Sequence, residues 1–340
     1  MHRRNITPRN LNNHRFRWPR IGASIALLML ICGTAANAWC EDLWVAFDGG
    51  GSIVRYTSKQ LQQGGTPTPT SLSTNPKASG LAFDKSNNLW AVTGNDAVVR
   101  FTARQIKDLK KNPSPIAGVI IASETDLQDI VGCKFDAKGN LWVVDAQLAS
   151  LNEISKAQLN AGSNIHLTPA IVLTSPDLNH PNFLTFDKGG NAWVSSQDSS
   201  TLVEFTASQL AAGGSQPGNV IISDDGSLTS LSQPGEPVFD KHGNLWVPNL
   251  IAPSVVEFAK TQLTSTGSPA PKVKLTGAIF DGPWGAAFAG NGDLVIMNQF
   301  DGKILEFTPN QIKATGAPVP KFSIETSDTL NDQIIFGPPS

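Results

Sequence analysis

A pattern of apolar and polar positions recurs six times along this chain. A complete copy has an apolar run ending in Phe or its equivalent, a short polar turn, and a second apolar run centred on Trp or, in the last copy, Val, as in residues 135–143. The second runs are spaced by 46 to 53 residues, with these reference positions: Trp44, Trp90, Trp142, Trp193, Trp246 and Val295. Two short apolar runs joined by a turn containing Gly or Asn are typical of a β-hairpin.

Two further segments follow each hairpin. A third apolar run alternates with charged residues, as in residues 202–205, which suits a half-exposed strand. Directly after it a Ser or Thr precedes a Gln by three residues in five copies, whereas Ala259 takes that place in the remaining copy. This spacing is a capping box and predicts a helical turn, so we interpret the six glutamines as helix caps and not as a binding ring. A fourth apolar run, as in residues 219–222, ends the unit.

Six units of four strands predict an all-β fold, a six-bladed β-propeller that occupies residues 39–340. The first unit begins at its second strand, Leu43 to Val45, with no first strand before it. Residues 329–336 match the missing strand, so we expect the C-terminal strand to complete blade 1 and close the ring. Closure would remove the open sheet edges that otherwise favour aggregation.

The first 38 residues have the features of a secretory signal peptide. Six arginines and no acidic residue precede an apolar run from Ile21 to Cys32, and Ala36-Asn37-Ala38 forms a cleavage signal. We therefore expect cleavage after Ala38 and a secreted or periplasmic product. The mature chain would hold 20 basic and 28 acidic residues, a net charge of −8. This charge argues against nucleic acid or an anionic membrane as a partner, and we expect a monomer that does not insert into membranes.

Function in a propeller is expected at the channel mouth, formed by loops before the first strands and after the second strands. Three polar residues lie three positions beyond the Trp or Val reference, and three more lie near the first strands. These are the candidate ligand-binding residues: Asp145, Asn249, Asn298, Glu236, His180 and Trp284. Trp284 could stack on a ligand or pack between blades. The alternative for the Asx residues is that they end strands and hydrogen-bond turns.

The Phe-Asp-x-x-Gly-Asn-Leu-Trp-Val pattern of residues 135–143 resembles the NHL and SMP-30/gluconolactonase-like (TolB-like) group of six-bladed propellers. In the gluconolactonase branch a divalent metal is held on the channel axis by one Glu, Asn residues and an Asp. The resemblance implies a possible site for Ca²⁺ or another divalent cation at Glu236, Asp145, Asn249 and Asn298, and such oxygen ligands suit a hard cation. The streptogramin lyases are another similar group, and this resemblance would require a pair of histidines near the channel. In this chain only His180 lies in a favourable place.

The sequence lacks a G-x-S-x-G motif, a zinc-type cysteine pair and a phosphate-binding glycine loop. We therefore expect a binding propeller without assigned catalysis, with a small ligand or a protein at its channel face. The alternative is a metal-dependent lactonase or esterase, in which a cation polarises the carbonyl and activates water. A streptogramin-lyase-like enzyme is a further alternative.

Overall fold

The repeated strand pattern folds into six antiparallel sheets, each of which is one blade of a six-bladed β-propeller. The structure is a computed structural model that describes residues 41–47, 52–73, 77–123, 125–326 and 331–339. The proposed signal peptide lies outside the described residues. Within those residues no helix is long and apolar enough to cross a bilayer.

The strands follow one another blade by blade along the chain. Blade 1 contains β1 (Asp42–Phe47), β2 (Ser52–Tyr56) and β3 (Thr70–Ser73), and blade 2 contains β4 (Ala78–Phe83), β5 (Leu89–Thr93), β6 (Ala97–Phe101) and β7 (Val119–Ala122). Blade 3 contains β8 (Ile130–Phe135), β9 (Leu141–Asp145), β10 (Ser150–Ile154) and β11 (Ile171–Thr174). Blade 4 contains β12 (Pro181–Phe186), β13 (Ala192–Ser196), β14 (Thr201–Phe205) and β16 (Val220–Ser223). The short β15 (Gly214–Ser215), which lies between β14 and β16 in the chain, pairs parallel with β11 at the edge of blade 3. Blade 5 contains β17 (Val238–Phe239), β18 (Leu245–Asn249), β19 (Ser254–Phe258) and β20 (Val273–Leu275). Blade 6 contains β21 (Pro283–Phe288), β22 (Leu294–Asn298), β23 (Lys303–Phe307) and β24 (Phe322–Glu325), and the chain ends with β25 (Asn331–Gly337).

The C-terminal strand closes the ring. β25 pairs antiparallel with β1, with Leu43 opposite Phe336 and Val45 opposite Ile334. The sheet order β25-β1-β2-β3 makes it the first strand of blade 1. The predicted closure is therefore confirmed for residues 331–337, while the predicted residues 329 and 330 lie outside the described residues.

The Asp and Asn of the repeated motif form a hydrogen-bond relay, shown here for blade 3. Asp136 accepts hydrogen bonds from the backbone and side-chain amides of Asn140 (both 2.9 Å) and from the indole of Trp142 (3.4 Å). Asn140 in turn accepts a bond from the backbone amide of Lys156 (2.9 Å), the first residue of the following helix. The motif thus joins the hairpin to that helix and is structural.

Helical turns connect the third and fourth strands in blades 1 to 5, as predicted, whereas in blade 6 the residues after Thr308 form a turn and not a helix. The α-helices are α1 (Ser58–Gln63), α2 (Ala103–Lys107), α3 (Lys156–Ala161) and α4 (Ala207–Ala212), each with its capping box formed. In blade 5, where Ala259 has no hydroxyl, the turn is only a 3-10 helix, Lys260–Gln262. The glutamine side chains are therefore engaged locally, and none of those described forms a ring around the channel.

The motif tryptophans pack between neighbouring blades. Trp44, Trp90 and Trp246 each meet, edge to face, the phenylalanine that ends or follows the next blade's first strand, with ring centroids 5.8 to 6.3 Å apart. These contacts bury the large rings almost completely. The core consequently consists of a series of apolar layers between adjacent blades.

Candidate functional site

The first strands of neighbouring blades pack together around the central axis. Each first strand contains a phenylalanine, and three residues before it three blades carry glycine, namely Gly80, Gly132 and Gly285. A Cβ on Gly132 would overlap the carbonyl oxygen of Asn182, and one on Gly80 would lie 2.9 Å from the carbonyl oxygen of Val131. The glycines therefore allow adjacent first strands to approach more closely than larger residues would.

The other three blades carry larger residues at this position, and these fill the axis. They are Phe183, Glu236 and Gln333, which we call the plug. All three are almost completely buried. The plug therefore occupies the neck of the channel, beneath the face that carries the ends of the second strands, which we call the loop face.

Hydrogen bonds from the plug connect most of the blades. The Oε1 atom of Glu236 accepts a bond from the Nε2 of Gln333 (2.8 Å) and lies 3.6 Å from the Nζ of Lys134. Its Oε2 atom accepts a bond from the backbone amide of Ala286 (3.3 Å). The Oε1 of Gln333 accepts the amide of Leu81 (2.5 Å). Blades 1, 2, 3, 5 and 6 therefore meet at one carboxylate and one carboxamide.

Burial raises the pKa of the Glu236 carboxyl, and the Lys134 ammonium and the Gln333 hydrogen bond oppose this shift. The local sequence explains how the side chain reaches the axis. Pro237 has no amide hydrogen, so the strand ladder of blade 5 begins only at Val238. The amide of Glu236 instead donates to the carbonyl oxygen of Trp284 in blade 6 (2.8 Å).

Aromatic side chains cover the plug towards blade 4. The rings of Phe183 and Trp284 meet edge to face, with centroids 5.4 Å apart, and Leu250 completes this buried cluster. Trp284 is therefore a packing residue, the second of the two roles predicted for it, although it packs against blade 4 and not between blades 5 and 6. Its ring has almost no exposed surface to offer a ligand.

The three Asx candidates lie at the ends of β9, β18 and β22, where their spacing predicts them, and all are buried. Asp145 accepts hydrogen bonds from the amides of Gln128 (2.7 Å) and Leu148 (2.8 Å). Asn249 accepts from the amide of Ser232 (3.0 Å) and donates to the carbonyl of Ser230, also at 3.0 Å. These side chains hold the loops of their own blades in place.

Asn298 has a similar role, because its amide donates to the carbonyl of Ile279 (2.8 Å) and to Asp301 (3.1 Å). Its Oδ1 atom is left without a donor among the described residues. The oxygens of Glu236 and Asp145 and the Oδ1 of Asn249 are already engaged. The four residues implied as metal ligands therefore do not present a shared set of free oxygens and do not fit a single cation. The described residues also contain no group of three His, Cys, Asp or Glu side chains arranged to hold a metal.

His180 is the exposed member of the candidate set. It lies on the loop face with positive φ (52°), and its Nδ1 is 3.9 Å from the Oδ1 of Asp198. His242 lies in the turn of blade 5 on the opposite face, and His166 lies in the outer linker of blade 3. The described part of the chain therefore brings no second histidine to His180.

The sequence analysis did not identify Gln333 or Lys134 as neighbours of Glu236. One signal was available, because aligning the six first strands places Phe183, Glu236 and Gln333 in the column where the other copies have glycine. Three large residues in a column of glycines indicate that they share one confined space.

Comparisons with known proteins identify the fold. No family model and no curated protein matches the chain. Among solved structures, a protein of unknown function from Bacteroides caccae has a TM-score of 0.60 at 11% identity, and the match covers 87% of this chain and 98% of that one. A chain of the nidogen/laminin complex has a TM-score of 0.61 at 15% identity, with the same coverages. A streptogramin B lyase has a TM-score of 0.51 at 13% identity, covering 75% of this chain and 72% of the lyase. At these identities the likeness shows the six-bladed propeller fold alone.

Proposed function

We propose that this chain is an exported propeller that binds a protein partner through its loop face. The observation that carries the proposal is a set of apolar side chains on hairpin tips of three blades. Leu148, Ile251 and Phe300 are 38%, 55% and 50% exposed, and all three lie between second and third strands. Exposed apolar side chains that share one face of a protein are a feature of protein interaction sites.

The plug favours a protein over a small ligand at this face. Phe183, Glu236 and Gln333 fill the neck of the channel, and the Asx residues around it hydrogen-bond their own loops. A partner would then contact the projecting tips of the hairpins. Contact of this kind extends over a wide surface, as protein interfaces do.

The polar surroundings of the tips suggest the chemistry of the partner. Asp129, Asp198 and Asp281 are exposed in loops of the same face. Carboxylates on the same face as exposed apolar side chains match the mixed composition of a protein interface, whose rim is polar. They would favour a partner with basic side chains at matching places and would speed its association at low salt. The mature chain, with a net charge of −8, would add to this attraction.

Site-specific photo-crosslinking in the source cells tests the proposal. A photoreactive phenylalanine analogue would replace Ile251 or Phe300, and control positions would be Ile116 and Val319, which are 86% and 79% exposed but lie in outer linkers. We expect one adduct of defined mass from positions 251 and 300 and none from 116 and 319. Ile251→Asp should abolish the adduct formed from position 300.

Two results would contradict the proposal. One is equal crosslinking from the control positions, which would indicate nonspecific contact. The other is no adduct from positions 251 and 300 in any cell fraction. N-terminal sequencing of the exported protein checks the export step separately, and the expected first residue is Trp39.

A further inference from the structure

A cavity of about 540 Å³ lies between blades 4 and 5, on the face opposite to the loop face. Its walls include the aromatic rings of Phe186, Trp193 and Phe239, and the carboxylate of Glu204 points into it from β14. Related grooves between blades 5 and 6 and between blades 2 and 3 are smaller, about 310 and 210 Å³. The lining of the blade 4–5 cavity also includes Lys260, the first residue of the 3-10 turn that follows Ala259.

Glu204 occupies a position that all six blades use for a charged residue. This position is on the third strand, directly opposite the reference Trp or Val of the second strand, and Glu204 pairs with Trp193. The six residues are Arg55, Arg100, Glu153, Glu204, Glu257 and Glu306. Because the position is repeated, the other blades show how the protein satisfies a charge there.

In blades 1 and 2 the charged residue is an arginine that lies over the tryptophan ring of the same blade. The guanidinium carbons of Arg55 and Arg100 lie 5.4 Å from the ring centroids of Trp44 and Trp90. This distance is typical of a cation–π interaction. An Arg side chain of the protein therefore covers the ring that corresponds to Trp193.

In blades 5 and 6 the charged residue is a glutamate that forms an ion pair with a lysine of the same blade. The Nζ of Lys272 lies 2.8 Å from Glu257, and the Nζ of Lys321 lies 2.6 Å from Glu306. Each lysine immediately precedes the fourth strand, and its backbone amide donates to the carbonyl of the same glutamate. Both buried carboxylates therefore have a counterion supplied by the chain.

Blade 4 lacks this counterion. Asn219 replaces the lysine, keeps the backbone bond to Glu204 (2.8 Å) and adds a side-chain bond to the carboxylate (2.7 Å). Glu204 is only 6% exposed, and among the described residues no cation forms an ion pair with it. Burial and the nearby carboxylate of Asp187 both raise the pKa of Glu204, and the amides of Asn219 and Asn191 oppose the shift.

Neither of the two lysines that line the cavity forms an ion pair with Glu204 among the described residues. The Nζ of Lys188 donates to the carbonyl of Lys241 across the cavity rim (3.0 Å). The stem of Lys260 extends over the turn at Gly243, where an added Cβ would lie 3.5 Å from the lysine Cδ. Glu153, the equivalent acid of blade 3, differs because it is only half-buried and Lys138 lies near enough to lower its pKa.

We propose that the cavity between blades 4 and 5 binds a small organic cation, an ammonium or guanidinium group on an apolar body. The cation takes the place beside Glu204 that Lys272 and Lys321 occupy beside their glutamates. Glu204 is its counterion, and the partly buried rings of Phe186 and Phe239 contact its apolar body, while Trp193 is buried in the cavity wall. This site is independent of the proposed protein-binding face.

Benzylammonium is a suitable probe, with benzyl alcohol as an uncharged control of similar size. Binding would be measured by calorimetry and saturation-transfer NMR at a pH of about 8, above the usual range of carboxyl pKa values. We expect saturable binding of benzylammonium and none of benzyl alcohol. Because a buried carboxylate contributes most to such a contact, Glu204→Gln should weaken binding at least about ten-fold. Glu257→Gln, the matched change in the next blade, should leave binding unchanged.

Asn219→Lys gives a second and independent arm. It introduces the Glu–Lys pair that the chain already has in blades 5 and 6, so it should raise the melting temperature and abolish binding of benzylammonium. This variant keeps the test decisive if Glu204→Gln fails to fold. Equal binding of benzyl alcohol, wild-type affinity of Asn219→Lys, or no saturable binding of benzylammonium to the wild-type protein would each overturn the proposal.

Discussion

The glycines at the neck of the channel allow a graded test of how the plug is accommodated. Gly80, Gly132 and Gly285 occupy equivalent positions, but an added methyl group would meet different neighbours in each case. For Gly132 the neighbour is the carbonyl oxygen of Asn182, closer than real Cβ contacts allow, and for Gly80 it is backbone at 2.9 Å. For Gly285 it is the terminal methyl of Met297 at 3.0 Å.

These neighbours differ in how easily they move. The backbone of an adjacent first strand can move only if two blades separate, whereas the end of a methionine side chain can change rotamer. Overpacking of a rigid site costs typically 1–3 kcal/mol. We therefore expect Gly132→Ala to destabilise the protein by about 3 kcal/mol, Gly80→Ala by about 2 and Gly285→Ala by less than about 1.

Urea unfolding at equilibrium measures these differences. Gly267→Ala is a matched control, because its added methyl group would meet nothing within 4 Å. That control should be neutral or stabilise the protein by up to about 1 kcal/mol through the unfolded state. A Gly132→Ala variant as stable as the wild type, or a Gly285→Ala variant as unstable as Gly132→Ala, would refute the close packing described for the neck.

Three further predictions concern other parts of the fold. Ending the chain at residue 328 removes β25 and exposes the edge of β1, so this variant should aggregate in a light-scattering assay, whereas removing only residues 338–340 should be tolerated. Burial and a hydrogen bond with Asp293 raise the pKa of Glu306 from 4.5 to about 8, so the folded state binds the extra proton between these values. Stability should then fall as pH rises through that window, and Glu306→Gln should flatten the fall in a series of thermal melts. Thr206→Ala, which removes a helix cap, should cost about 1 kcal/mol in urea unfolding, and Ala259→Thr should stabilise blade 5.

The fold could be predicted from the sequence because its signals are local. The hairpin turn requires a residue with positive φ, and the structure has Gly139, Gly190 and Gly243 there with φ between 81° and 90°. The capping boxes join residues three positions apart. Closure by β25 could be predicted because the first unit lacks one of the four strands that the other units have. The missing strand therefore had to come from another part of the chain.

The site was less predictable because its contacts join distant parts of the chain. Glu236 meets Gln333, which is 97 residues away, and Lys134, which belongs to another blade. The spacing of Asp145 and Asn249 placed them correctly at strand ends. It could not show that loop amides already occupy their oxygens, since that depends on loop conformations that no periodic pattern encodes.

The charged position opposite the tryptophan makes blade 4 the informative copy. A buried carboxylate without a counterion lowers the stability of a folded protein, and a single lysine before the fourth strand supplies a counterion that offsets part of that cost in blades 5 and 6. The same strand position in blade 4 is open to lysine, because the backbone bond of Asn219 to Glu204 matches that of Lys272 to Glu257. A site that has to accept an external cation must leave this position without an internal one. The uncompensated charge of Glu204, beside the largest of the three inter-blade grooves described, is therefore what a binding function predicts and what stability alone disfavours.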